Sequence, residues 1–210
     1  MSFYHFPSHF VYWMQVSEHN KIKDKLVPII EQINSRVRNI PFVCSEVISS
    51  FNCPEKEINN FLKEEWIEES LVWKPIFQML QKVESLEGMR NINPKKLIIS
   101  QAWYNIYDEK VYQEMHDHDG NIITHNNIQF HPFLSIVYIL NNPNEKNDTV
   151  FRINESPCWP RKNIINFDTS TEPSIHEGTV IIFPSDLPHM VKPSANTGRI
   201  TIAYNVNAQF

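Results

Sequence analysis

Two hydrophobic periods divide the chain. After one opening strand, apolar positions up to about residue 90 recur at helical intervals, and from Lys96 they alternate. Phe10, Tyr12, Met14 and Val16 predict a strand within residues 7–16. Ser17-Glu18 offers a helix start, and Leu26, Ile29, Ile30 and Ile33 predict a helix over Lys21–Arg36, ended by Asn39-Ile40-Pro41. Phe42, Val43, Val47 and Ile48 fit a short strand or a loop. Residues 55–87 read as one or two helices, with Leu62, Trp66, Leu71, Ile76, Leu80 and Val83 on the buried face. Pro75 starts the second helix or kinks a single one. Nothing here carries chemistry, and His5, His9 and His19 read as surface or packing residues. The expectation is a helical buttress, residues 1–95, packed on a β core, residues 96–210.

In the core, Leu97–Tyr107 predicts a long strand with Trp103, Asn105 and Tyr107 on one face. Asp108-Glu109-Lys110 turns the chain into a strand holding His116 and His118. Residues 120–130 are polar and turn-rich and read as an insertion, with His125 and His131 facing solvent. Leu134–Leu140 and Thr179–Pro184 predict strands. Residues 141–177 form the longest irregular stretch and read as a lid over the metal or a surface loop, with a strand at Val150–Ile153 and the lid proper in Cys158-Trp159-Pro160-Arg161 and the polar run to Ser174. Arg152 and Arg161 are candidate substrate contacts. The last strand, Arg199–Val206, places Arg199, Thr201 and Ala203 on one face.

Residues i and i+2 of a strand point the same way, so His116 and His118 would present two imidazoles together. A third donor from another strand closes a metal site, and His189 is the candidate. Arg199 follows ten residues later, at the head of the apolar run Ile200–Tyr204. A buried guanidinium is costly unless it meets an anion, and a carboxylate co-substrate fits its fork.

His116-Asp117-His118-Asp119, then His189, then Arg199 resembles the H-x-D…H…R motif of the 2-oxoglutarate/Fe(II)-dependent oxygenase superfamily. Asn105-Ile106-Tyr107, eleven residues before His116, is similar to the N-x-Y of its AlkB-type branch. The segments AWYNIY…YQEMHDH, LSIVYIL, GTVIIFPSDLPHMV and GRITIAYN resemble a prolyl-hydroxylase-like branch common in phages and marine bacteria. The likeness covers residues 99–210. It implies an α+β chain with a double-stranded β-helix (jelly-roll) core. It implies Fe(II) as metal, 2-oxoglutarate as co-substrate held by Asn105, Tyr107, Arg199 and Thr201, and O2-dependent hydroxylation of an amino-acid or peptidyl side chain.

The chain departs from the motif where the superfamily has a carboxylate, at His118. Three ligand sets stay open. They are His116, His118 and His189; Asp119 swung in by a bulge; or a shifted register with His118 first and Gly120 leaving an open position. Two other classes also stay open. One is a three-histidine cupin-like dioxygenase without 2-oxoglutarate, which has no use for Arg199. The other is a non-catalytic, binding or virion-associated member of the fold, with a structural metal or none.

Composition narrows the partners. A net charge of −5 gives no overall basic patch and disfavours nucleic acid. No apolar run reaches membrane-spanning length and no signal-peptide pattern opens the chain, so cytoplasm is expected, the host's if the protein is viral. Cys44, Cys53 and Cys158 have no metal-ligand spacing and fit reduced thiols. A homodimer is left open. Only four glycines serve a β-rich chain, so asparagine is expected to take left-handed turn positions.

Overall fold

Alternation along the second half builds two facing antiparallel sheets. The computed structural model describes residues 2–5, 9–36, 47–53, 56–83, 94–120, 122–143, 148–154, 164–193, 195 and 197–210. Its strands are β1 Ser2–His5, β2 Phe10–Gln15, β3 Ile48–Ser49, β4 Lys96–Tyr107, β5 Gln113–His116, β6 Ile123–His125, β7 Ile128–Asn141, β8 Thr149–Asn154, β9 Ile164–Asp168, β10 Thr179–Pro184, β11 His189–Val191 and β12 Arg199–Gln209. The major sheet runs β1-β2-β10-β7-β12-β4-β3 and the minor sheet β5-β11-β8-β9. From β4 onward the chain passes back and forth between the two, which is the double-stranded β-helix that the resemblance implies.

The major sheet is covered on both faces, so its strands are not simply half-polar. On β2, Phe10 and Tyr12 join the core on the helical side, whereas Val11 and Trp13 join the core between the sheets with Ile139, Phe151, Ile181 and Phe183. On β12, Ile200, Ile202, Tyr204 and Val206 enter the helical-side core. Arg199, Thr201 and Ala203 alternate with them and pair with Tyr107, Asn105 and Trp103 of β4.

Helix α1, His19–Arg36, packs Ile22, Leu26 and Ile30 at helical spacing onto the sheet. Its first residue is anchored. His19 Nδ1 lies 2.6 Å from Tyr138 Oη and Nε2 lies 3.1 Å from Glu177 Oε1. Gly178 passes that ring in the left-handed region, φ 86°, and a Cβ there would sit 3.0 Å from His19 Cγ. The second helical stretch holds α2, Glu65–Glu68, a π turn at Glu69–Trp73, and α3, Lys74–Val83. The π turn shifts the buried stripe. Ile67, Val72 and Met79 are fully buried beside the expected Leu71, Ile76 and Val83, while Trp66 and Leu80 are only partly so. Tyr204 Oη donates to Leu62 O at 2.9 Å, tying this layer to β12.

Four expectations change. β1 had no signal. The 120–130 insertion is largely a hairpin, β6 onto β7, turned by Asn126 and Asn127 at φ 51° and 61°, as left-handed asparagines allow. The stretch read as irregular holds, beside the expected strand β8, a second strand β9, paired with it from Val150↔Asp168 to Asn154↔Ile164. The strand meant to carry both histidines stops at His116. Phe42, Val43, Cys44, Cys158, Trp159, Pro160 and Arg161 lie outside the described residues. Among the described residues no helix is long and apolar enough to cross a membrane.

Candidate metal centre

His116 and His189 are a cross-strand pair, directly opposed where β5 meets β11. Their ring centroids lie 4.3 Å apart. Past His116 the chain leaves the sheet, and His118 N donates to Ser185 O at 2.8 Å. That bond, not strand alternation, brings His118 beside the pair, 5.1 Å from His116 and 5.2 Å from His189 between ring centroids. One candidate ligand nitrogen from each ring lies within 4.8 Å of the others, the one such cluster among the described residues. Asp119 is outside it. Asp117 and Asp119 are exposed, and Asp119 N donates to Asp117 Oδ1 at 3.3 Å to close a turn.

The rings are oriented from behind. His116 Nδ1 donates to Glu114 O at 2.7 Å and His189 Nδ1 to Leu187 O at 3.0 Å. Each then carries its proton on Nδ1 and keeps a lone pair on Nε2, the tautomer a metal requires. His118 Nδ1 lies 3.4 Å from the Asn205 amide, which Ser135 and Gln101 hold in turn. Burial, then the neighbouring His116, pushes the His118 pKa down to about 3. Burial, then His116 and His118, holds His189 well below the ordinary imidazole range. Both are therefore neutral at pH 7. Phe183 and Phe151 flank His189, at 4.7 and 5.9 Å between centroids, and Trp103 flanks His118 at 5.6 Å.

Behind the histidines lies a narrow cavity of about 20 Å³, lined by Asn105, Tyr107, Gln113, Arg199 and Thr201 among others. All four residues expected beside the co-substrate are present in it. Arg199 is 0% exposed, and its guanidinium lies 5.1 Å from the Tyr107 ring centroid. Burial lowers its pKa, opposed by Tyr107 and Asp148. Tyr107 Oη donates to Gln113 Oε1 at 2.9 Å. Asn105 Oδ1 is buried with no hydrogen-bond partner among the described residues. On the other side an open cleft of about 340 Å³ reaches solvent between Phe51, Gln101, Asp117, Asp119 and Asn205. Trp103, Gln113, His116 and His118 line both spaces and form the wall between them. His125 and His131 are exposed and outside the cluster, as expected. Gln113 and Ser135 had not been singled out, because no motif marks them, and Asn205 was passed over although alternation puts it on the Arg199 face.

Residues 101–205 match a family described as "Putative 2OG-Fe(II) oxygenase". No curated protein sequence matches the chain. Three solved structures are similar in fold. A Pseudomonas putida prolyl-4-hydroxylase is 12% identical, over 96% of this chain and 94% of that one, with a TM-score of 0.56. A Burkholderia pseudomallei oxidoreductase of the 2OG-Fe(II) oxygenase family is 14% identical, over 94% and 84%, with a TM-score of 0.55. Streptomyces hygroscopicus HygX with nickel and 2-oxoglutarate bound is 8% identical, over 95% and 83%, with a TM-score of 0.52. The family match spans half the chain and falls on the strands that carry the histidine cluster and the buried arginine, so this chain belongs to the 2OG-Fe(II) oxygenase family.

Proposed function

We propose that His116, His118 and His189 hold Fe(II), that Asn105, Tyr107, Arg199 and Thr201 seat 2-oxoglutarate, and that the open cleft presents an amino-acid or peptidyl side chain for hydroxylation. The observation that carries this reading is Arg199, a fully buried cation at the floor of a cavity whose wall is the histidine cluster. A buried guanidinium selects a carboxylate, and a short dicarboxylate reaches from it to the metal.

The residues fit both groups. Two imidazoles are fixed with Nε2 forward, and burial keeps His118 and His189 unprotonated, as ligation requires. Thr201, paired with Asn105 across the sheet, offers a hydroxyl beside Arg199. Asn105 brings a buried amide whose oxygen lacks a protein partner. With metal and co-substrate bound, the family's chemistry joins O2, 2-oxoglutarate and a substrate C–H bond to give an alcohol, succinate and CO2. The chain's own part is to hold neutral donors, neutralise the far carboxylate and exclude water behind Phe151, Phe183 and Trp103. Three imidazoles in place of two and a carboxylate leave the metal's full double charge, which favours an anionic chelator.

The cleft supports the substrate class. Among the described residues its lining is aromatic, amide and carboxylate, with no Lys or Arg, so it suits a neutral or cationic group. A second hollow of about 410 Å³ shares Phe51 and Gln101 with it and runs on to Asn59 and Lys63, room for an extended chain.

Anaerobic titration with Fe(II) and 2-oxoglutarate tests the reading. A weak visible charge-transfer band that needs both components is expected. Arg199→Ala should raise the 2-oxoglutarate Kd about thirtyfold, the loss of a charged hydrogen bond worth ~2 kcal/mol. No band, with Zn(II) or no metal in the purified protein, would overturn catalysis in favour of a structural or binding role.

A further inference from the structure

Gln113 occupies a position that the reading above leaves without a task. It is 6% exposed and sits on the wall common to the narrow cavity and the open cleft. Its Oε1 accepts from Tyr107 Oη at 2.9 Å, and its Nε2 lies 3.3 Å from His116 Nε2. The orientation of this amide is forced. His116 Nδ1 donates to the Glu114 carbonyl, so in the neutral imidazole that a metal needs, Nε2 is the lone pair. Only an N–H can face a lone pair, so the amide nitrogen points at His116 and the oxygen at Tyr107.

We propose that Gln113 is a positioning residue that selects the co-substrate, its N–H aimed at the metal's coordination sphere to receive an anionic oxygen. The proposal rests on the reading that the histidines hold the metal and that the narrow cavity seats 2-oxoglutarate. A metal takes the His116 lone pair, and with it the acceptor that the Gln113 N–H now uses. Tyr107 still holds the oxygen end, so the amide stays on the wall. A buried N–H without an acceptor is costly. The acceptor that replaces the lone pair is a carboxylate oxygen at the metal, which a chelating 2-oxoacid supplies and a plain dicarboxylate supplies less well. Tyr107 also lies beneath Arg199 at 5.1 Å. Arg199, Tyr107, Gln113 and His116 thus form one line of contacts from the floor of the cavity to the metal ligands.

Full-length wild type, Gln113→Leu and Gln113→Glu, loaded with Mn(II) as a redox-inert metal, test this by calorimetric titration of Mn(II) and then of 2-oxoglutarate. Gln113→Leu should bind Mn(II) within about threefold of wild type and 2-oxoglutarate at least about tenfold more weakly. Gln113→Glu, of equal size, places an anion where the donor was. It should bind Mn(II) more tightly and 2-oxoglutarate at least about tenfold more weakly. Opposite shifts in one variant cannot come from a loosened fold, and if Gln113→Leu fails to fold, Gln113→Glu alone decides. Binding of 2-oxoglutarate within twofold of wild type by the folded variants overturns the proposal. Wild type that takes Mn(II) but not 2-oxoglutarate overturns the underlying reading, and the proposal with it.

Discussion

β12 buries both of its faces, and the two are made of different chemistry. Toward the helices it presents Ile200, Ile202, Tyr204 and Val206, packed with Ile136, Tyr138 and Ile182. Toward the minor sheet it presents Arg199, Thr201, Asn205 and Asn207, all of them buried. Polar groups out of water must be bonded or they destabilise. Asn205 is held by Ser135 and Gln101, Asn207 Nδ2 donates to Phe130 O at 3.3 Å, and Arg199 lies on the Tyr107 ring. The apolar filling between the sheets lies elsewhere, among Trp13, Phe151, Phe167, Phe183 and Leu187. One strand therefore supplies stability from one side and chemistry from the other. Substitutions on the two faces should separate the two properties.

The sharpest break is His189→Ala. Metal affinity should fall by more than about 100-fold, beyond what loss of an outer hydrogen bond costs, in an anaerobic metal titration. On the opposite face Ile202→Ala should cost about 3 kcal/mol of folding free energy by urea unfolding, the range for a buried isoleucine. Metal affinity of its folded fraction should stay within twofold of wild type. Equal loss of both properties in either variant would dissolve the comparison.

Acid gives a smaller, graded effect. The His118 pKa is near 3 in the fold, against about 6.5 for an unfolded imidazole, and His189 is shifted the same way. Below pH ~6.5 the unfolded chain takes up protons that the folded chain refuses. Stability of the metal-free protein should therefore decline as pH falls from about 6.5 toward 3. Melting temperature against pH reads this directly, and His118→Gln should flatten the slope. The smallest change is expected of Asp119→Asn, with metal affinity within twofold of wild type. A loss of tenfold or more would return Asp119 to the ligand set in place of His118.

Much of the site was legible because spacing survives folding. The family resemblance marks Asn105, Tyr107, Arg199 and Thr201, and alternation sets them on facing positions of two strands that pair in register, Tyr107 opposite Arg199 and Asn105 opposite Thr201. His118 reached its place by a route that alternation misdescribes. Leaving β5, the chain bonds to Ser185, a residue far along the sequence that no local pattern predicts. Gln113 was invisible for a related reason. It and His116 both line the cavity although they are three positions apart and strand alternation would set them on opposite faces, and the β5–β11 register shifts between His189 and Val191. In the helical layer a π turn moved the buried stripe, which a fixed 3.6-residue period does not anticipate. β9 was lost because two of its own five residues, Asn166 and Asp168, are polar and break up a short apolar run.

The place of β12 in the major sheet also bears on how the chain is made. It lies between β7 and β4, and it is later in the sequence than every strand it joins. During vectorial synthesis β4 and β7 must each wait with an open edge until residues 199–209 emerge. A nascent or truncated chain that stops before Arg199 has helices and hairpins but no closed sheet. It exposes two long apolar edges to other copies of itself. Such fragments should collect in inclusion bodies and engage chaperones.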